Sequence, residues 1–221
     1  MYEELSDSEL IEQRQRLLSE LSSTQKQVRR RHGRSGPQAP ALSATHLEGC
    51  RLFPDRYELI RHLPPQPVIA ELGTAVGVFA RSMMETLTPQ KLHLFDLRWV
   101  SGFDRAYFQP LIDGGQVELH TGDSSSHLAA FPDEHFDMIY IDGDHGFDGA
   151  KRDCEIARTK VKRGGWLGFN DYVHWSVGEM IPYGVVRAVN ELCVSRNWRF
   201  GLMAMPPTMH IDVFLQRPLD D

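Results

Sequence analysis

The sequence predicts an α/β fold: a doubly wound, seven-stranded, mostly parallel sheet whose last strand is antiparallel. Three observations carry this. From Pro54 onward, short apolar runs that read as buried strands alternate with helical stretches. Glycine and acidic residues fall where three successive runs end. The last two runs are joined by a link too short for a crossover, so they must form a hairpin.

The elements follow in order. Residues 1 to about 31 read as a helix, with Leu5, Ile11, Leu17, Leu18 and Leu21 striped among Glu, Gln and Arg. The helix ends in the basic run Arg29-Arg30-Arg31-His32, and the Gly, Pro and Ser residues up to Pro40 read as a linker. A short helix spans Arg56 to Leu63, stopped by Pro64-Pro65. Strands are expected at Val68–Leu72, Lys91–Leu97, Val117–Thr121, Phe136–Ile141 and Trp166–Phe169. Helices are expected at Phe79–Leu87, Asp148–Lys162 and Gly184–Arg196. The terminal hairpin joins Arg199–Ala204 to Ile211–Gln216 and lies at one edge of the sheet. This gives an N-terminal extension over residues 1–50 and one catalytic-size domain over 51–221.

Composition narrows the function classes. The chain has 221 residues and a net charge of -6, which argues against a dedicated nucleic-acid binder. No apolar run is long enough to span a membrane, and Met1–Leu10 is too acidic and polar for a secretory signal. The three cysteines, Cys50, Cys154 and Cys193, are widely spaced and read as reduced packing residues in a cytoplasmic protein. The N-terminal helix can dock on the domain, cover the site or pair two subunits as a homo-oligomer; the sequence leaves all three open.

The first strand ends in Glu71-Leu72-Gly73-Thr74-Ala75-Val76-Gly77. In doubly wound sheets ligands bind beyond the carboxyl ends of the strands, where the chain changes direction. The glycine spacing is G-x-x-x-G, which is neither the dinucleotide fingerprint G-x-G-x-x-G nor a phosphate-binding P-loop. The second strand reaches Asp96, whose carboxylate can accept from both hydroxyls of a ribose. The third leads into Gly122-Asp123-Ser124, where a carboxylate can accept from an adenine amine. The fourth delivers Asp142, Asp144 and His145. The fifth delivers Asn170 and Asp171, oxygen donors suited to Mg²⁺. The plain alternative is that Asn170 and Asp171 only cap a turn. His145 lies three residues after Asp142, and an imidazole titrating near pH ~6.5 suits a general base. The plain alternative for it is a helix cap. His174, near Tyr172 and Trp175, is a weaker candidate for the base.

These motifs resemble the class I methyltransferases, closest to the macrocin-type and cephalosporin-biosynthesis O-methyltransferases. The resemblance rests on Glu71–Gly77, Ile141-Asp-Gly-Asp-His145, Gly164-Gly-Trp-Leu-Gly-Phe-Asn-Asp-Tyr172 and Tyr183-Gly-Val-Val-Arg-Ala-Val-Asn190. It covers roughly Arg56 to Arg217. It implies S-adenosylmethionine as cofactor, bound by Glu71, Gly73, Thr74, Ala75, Gly77, Asp96, Gly122, Asp123, Ser124 and Asp142. It also implies Asp142, Asn170 and Asp171 as Mg²⁺ ligands, His145 as base, and a small-molecule hydroxyl, of sugar or phenol type, as methyl acceptor. In catechol-type and caffeoyl-type relatives the fifth-strand pair runs Asp-Asn; here it runs Asn170-Asp171. Competing readings are a nicotinamide-dependent oxidoreductase, a metal-independent methyltransferase and a non-catalytic partner that only binds cofactor.

Overall fold

The structure, a computed structural model, describes residues 6–32 and 39–221. The chain divides into two compact units, 1–37 and 38–221. The first holds one helix, α1 (Asp7–His32). Ser6 opens it with a reciprocal cap: Ser6 N–H donates to Glu9 Oε2 at 2.8 Å, and Glu9 N–H donates to Ser6 Oγ at 3.4 Å. Of the predicted stripe residues, Ile11, Leu17 and Leu21 are solvent-exposed on α1. The expected helix start over residues 1–5 and most of the expected linker, 33–38, lie outside the described residues.

The second unit runs α2 (Ala44–Leu47), β1 (Arg51–Phe53), α3 (Arg56–Ile60), β2 (Val68–Leu72), α4 (Val78–Leu87), β3 (Lys91–Asp96) and α5 (Arg105–Asp113). It continues through β4 (Val117–Thr121), α6 (Ser124–Ala129), β5 (Phe136–Ile141), α7 (Phe147–Lys160) and β6 (Val161–Phe169). The two-residue pair β7 (Trp175–Ser176) and β8 (Ile181–Pro182) comes next, then α8 (Val185–Arg196), β9 (Arg199–Ala204) and β10 (Asp212–Gln216).

The main sheet has the order β1-β9-β10-β6-β5-β2-β3-β4. Every neighbouring pair is parallel except those of β10, which is antiparallel to both β6 and β9. The doubly wound, mostly parallel fold with an antiparallel last strand is therefore the one expected. The edge differs. An eighth strand, β1, pairs with β9 and covers the hairpin that the sequence places at the rim. Three residues hold no readable periodicity, so β1 is specified by the free edge of β9 and not by its own pattern. β6 also starts earlier than expected, at Val161, which pairs with Phe136; the register then shifts across the glycines at 164 and 165, and regular pairing with β5 resumes at Trp166 opposite Met138.

Apolar side chains alternate between the two faces of the sheet. Ala70, Leu72, Ile139, Ile141, Leu167 and Phe169 face one core with α7 and α8, while Ile69, Leu92, Leu94, Met138 and Phe214 face the other with α3, α4 and α5. Each fully buried Leu or Phe contributes roughly 1.5–3 kcal/mol to folding. Both cores thus fix the strand register, and the register fixes where the strand tips end. Cys154 and Cys193 are buried free thiols, as expected of packing residues. Among the described residues, no helix is long and apolar enough to cross a membrane.

β2 lies between β3 and β5, so the chain changes winding direction at its tip. Backbone hydrogen bonds continue past the strand ends and knit the tips together. Gly73 N–H donates to Phe95 O at 2.9 Å, Asp142 N–H to Leu72 O at 2.7 Å, Gly122 N–H to Asp96 O at 2.9 Å and Asn170 N–H to Ile141 O at 2.9 Å.

Candidate active site

The tips form two clefts that share Asp142. One, of about 430 Å³, is lined by Gly73, Ala75, Asp96, Leu97, Asp123, Ser124, Ser125, Asp142, Gly143, Asp144, Arg152 and Asp153. The other, of about 370 Å³, is lined by Asp55, Arg56, Tyr57, Asp142, Asn170, Asp171, Pro206, Thr208, His210 and Asp212. Both are large enough for a small ligand.

The first cleft collects most of the expected cofactor residues. Gly73 is at φ +88°, and a Cβ there would stand 2.0 Å from the Asp142 carbonyl oxygen. Only glycine lets the β2 and β5 tips come this close. Gly77, at φ +84°, does a different job: it opens α4, and a Cβ there would meet the Phe108 ring at 2.9 Å. It shapes the turn and does not line the cleft. Nor do Glu71, Thr74 or Gly122 line it. Asp96 Oδ2 accepts from Ala75 N–H at 2.8 Å and Oδ1 accepts from Arg98 N–H at 3.2 Å, which fixes the carboxylate at the mouth. Asp123 caps α6 by accepting from Ser126 N–H at 2.7 Å. Arg152, Asp153, Gly143 and Ser125 were not legible as cleft residues. They sit on or beside helices whose faces the strand-end argument does not reach.

Glu71 and Thr74 sit beneath this cleft. Both are buried, and among the described residues Glu71 Oε2 and Thr74 Oγ1 have no hydrogen-bond partner. Burial, aided by the Asp142 charge, pushes the Glu71 carboxyl up to about 8. An acid whose folded value lies above its unfolded one keeps more protons when folded. It therefore lowers stability as pH rises from its ordinary 4.5 through about 8. The ligand-free protein is expected to lose thermal stability across that window, and Glu71→Gln to flatten the slope. Parallel slopes for the two proteins in melting temperature against pH would remove the buried charge at Glu71 as the cause. The close Gly73 backbone and the fixed Asp96 carboxylate fit an adenosyl and amino-acid ligand.

Three residues that line the second cleft, Asp142, Asn170 and Asp171, surround His145. Its Nε2 lies 3.5 Å from Asp142 Oδ1, 3.7 Å from Asp171 Oδ2 and 3.4 Å from Asn170 Oδ1. The three residues expected to bind metal thus converge on the expected base. Each is held from behind. Arg56 Nη1 lies 3.7 Å from Asp142 Oδ2. His210 Nδ1 lies 2.8 Å from Asp171 Oδ1. Asn170 Nδ2 donates to the Tyr140 hydroxyl at 3.2 Å and to Asp212 Oδ1 at 3.3 Å, which turns its oxygen toward His145. Tyr140 in turn donates to Asp212 Oδ1. Asp171 is at φ +54°, a left-handed turn conformation that aspartate tolerates. Both side chains point at His145.

The His145 ring stacks on Tyr183, with centroids 4.6 Å apart and planes 14° apart. The backbone loop carrying β7 and β8 anchors here, with Gly184 N–H donating to His145 O at 2.8 Å. Burial works against a charged imidazole, but hydrogen bonding to Asp142, the Asp142 and Asp171 charges and the Asn170 contact outweigh it and hold His145 above its ordinary value. Burial holds Asp142 itself high, against the pull of His145 and Arg56. Oxygen donors on two carboxylates and an amide are the chemistry Mg²⁺ prefers, so the residues fit that ion.

Arg56, Tyr140, Tyr183, His210 and Asp212 were missed as site residues. Arg56 starts a short helix outside the strand tips, and Tyr140 sits inside an apolar strand run where only its hydroxyl is polar. His174 is exposed and takes no part in the cluster. Tyr172 faces away: its hydroxyl donates to Asn190 Oδ1 at 2.6 Å and its ring packs on Phe200.

Comparison with known proteins agrees with this layout. A family model described as a methyltransferase domain matches residues 70–172, which span both clefts' central residues. The malonyl-[acyl-carrier protein] O-methyltransferase of Bacteroides thetaiotaomicron is 24% identical over 153 residues, 66% of this chain and 56% of that protein. The chain therefore spans little more than half the length of that relative. An O-methyltransferase family protein from Burkholderia thailandensis superposes with a TM-score of 0.57 at 11% identity, over 75% of this chain and 56% of that one. The 1,6-didemethyltoxoflavin-N1-methyltransferase of the same organism, solved with S-adenosylhomocysteine, gives 0.54 at 14% identity, over 73% and 75%. At these identities the likeness establishes the fold, that of the Rossmann-like methyltransferases.

Proposed function

We propose that the chain transfers a methyl group from S-adenosylmethionine to a hydroxyl of a small-molecule acceptor, with His145 as general base. The observation that carries this is the convergence of Asp142, Asn170 and Asp171 on His145 Nε2, where the two clefts meet. The first cleft takes the donor, which supplies an electrophilic methyl on a sulfonium. The second takes the acceptor. The motifs Asp142–His145 and Asn170–Tyr172 support an acceptor of the macrocin type, a sugar or phenol hydroxyl.

The chain's own residues do the following. His145 Nε2 takes the hydroxyl proton. Asp142 and Asp171 stabilise the resulting imidazolium. Asn170, its amide pinned by Tyr140 and Asp212, accepts from the protonated ring. Tyr183 holds the ring plane by stacking, and Asp96 and the Gly73–Ala75 backbone orient the donor. Asp142, Asn170 and Asp171 would hold Mg²⁺, which would lower the acceptor hydroxyl's pKa. Arg56 favours a second reading in which no metal is needed, since it already places a fixed positive charge beside Asp142.

Calorimetric titration separates the donor classes. Saturable binding of S-adenosylhomocysteine without binding of NAD is expected; binding of NAD alone would overturn the proposal. Methyl transfer from labelled S-adenosylmethionine to a panel of phenols, sugars and amines, with products read by NMR, then tests the hydroxyl. A product methylated only on nitrogen would exclude the O-methyl reading. Activity undiminished after exhaustive chelation would remove Mg²⁺ and leave the rest standing.

A further inference from the structure

On the outer edge of the sheet, away from His145, a second cluster has ligand geometry. β4 is the edge strand, and its register with β3 sets His93 opposite Glu118 and Phe95 opposite His120. His93 Nδ1 and His120 Nε2 lie 3.0 Å apart. Glu118 Oε2 lies 3.8 Å from His93 Nδ1, and Glu118 Oε1 lies 3.8 Å from His120 Nε2. Among the described residues, this group of His and Glu brings three ligand atoms within 4.8 Å of one another. We propose that His93, Glu118 and His120 form a binding site for a zinc-class divalent ion, clamping β4 to β3.

The dimensions suit that ion. A metal about 2.0–2.1 Å from each donor in tetrahedral geometry sets neighbouring donors about 3.3 Å apart. The observed separations bracket this value, so small side-chain rotations close the site. Two imidazoles and a carboxylate select Zn²⁺, Co²⁺ or Ni²⁺ over Mg²⁺ and Ca²⁺, which prefer all-oxygen shells. The fourth position faces solvent, because Glu118 is 49% exposed on its side chain. Three protein ligands and one water complete the shell.

The rings are positioned without an ion. Phe95 stacks on His120 at 4.3 Å with planes 13° apart, and Phe131 meets His93 edge-on at 5.0 Å. Burial, opposed by Glu118 and reinforced by His120, Lys91 and His135, pushes His93 down to about 4. Burial, opposed by Glu118 and reinforced by His127 and Lys91, lowers His120 as well. Both rings are thus neutral near pH 7, the form that ligates. Lys91 Nζ, 3.0 Å from Glu118 Oε2, is the competing cation. It has a second partner in the Gly115 carbonyl at 2.9 Å, so it can yield Glu118. The site needs no part of the proposed methyl transfer. Its place does bear on it, because β3 and β4 lead directly into Asp96 and Gly122-Asp123.

The test uses the full chain, stripped of metal by chelation and titrated with Zn²⁺ against a chromophoric chelator. One bound equivalent, beyond any held by Asp142, Asn170 and Asp171, is expected that His145→Ala leaves in place and that both His120→Gln and Glu118→Gln weaken at least tenfold. These two positions are less buried than His93, so the variants keep the fold, and their circular dichroism verifies it. Co²⁺ should give the intense visible bands of a tetrahedral site in the wild type and lose them in both variants. No bound Zn²⁺, or binding that His145→Ala removes and His120→Gln does not, would overturn the proposal. Weakening in only one of the two edge variants would overturn the three-ligand set.

Discussion

Replacing His145 by alanine is expected to lower turnover by about 10²–10⁴-fold, the usual contribution of a positioned general base. Binding of S-adenosylhomocysteine should change less than about threefold. The separation follows from geometry. His145 Nε2 faces Asp142, Asn170 and Asp171, while the first cleft is lined from the β2, β3, β4 and β5 tips and from α7 but not by the imidazole. Alanine leaves a space where the ring stacked on Tyr183, so added imidazole should restore part of the rate. A purely structural role would not show that rescue. Single-turnover rates with saturating donor and acceptor make the measurement. Turnover within threefold of wild type would remove His145 as the base and move attention to His210, 2.8 Å from Asp171.

How much of this was legible in the sequence depends on what carries the information. Strands buried on both faces, such as Val68–Leu72 and Phe136–Ile141, are continuous apolar runs, and the structure places both with the expected bounds. Their tips carry Gly73, Asp96, Asp142 and Asn170-Asp171 for a topological reason, so the site's backbone could be read from strand order alone. What lies between could not. β1 has three residues and depends on β9 for its existence. α5 and α6 are short, and their starts are set by Asp104 and Asp123 as caps, with no long stripe to mark them. The largest omission was electrostatic. A sequence read as strand tips shows the carboxylates that gather at Asp142, but the cation that balances them comes from α3, some eighty residues upstream and outside any motif.

That cation carries the other large effect. Arg56→Met is expected to destabilise the protein by about 3 kcal/mol at neutral pH, since removing one partner of a buried pair leaves the other charged and poorly solvated. Arg56 Nη1 lies 3.2 Å from the Tyr140 hydroxyl and 3.9 Å from Asp212 Oδ1, and its guanidinium sits 4.5 Å over the Phe79 ring. Methionine keeps much of the stem's packing on Phe79 and removes the charge. Asp142 keeps part of its side chain in contact with solvent, but Asp212 is 2% exposed and has nowhere to find water. Burial pushes Asp212 up to about 6 even with Tyr140 and Arg56 pulling it down. Without Arg56 it rises further, so the variant folds with a proton there over a wider range. For an acid raised in the folded state, the loss of stability grows with pH. The gap between wild type and Arg56→Met should therefore be small near pH 5 and wide near pH 8, read as urea midpoints. Adding Asp212→Asn to Arg56→Met should recover most of the loss at pH 8, because the uncompensated charge is then gone. Equal midpoints for wild type and Arg56→Met at pH 8 would show that the carboxylates are balanced by something other than Arg56. The same substitution frees Asp142 Oδ2 from its anchor, so turnover should fall along with stability, whereas Asp212→Asn alone should spare the Arg56–Asp142 contact.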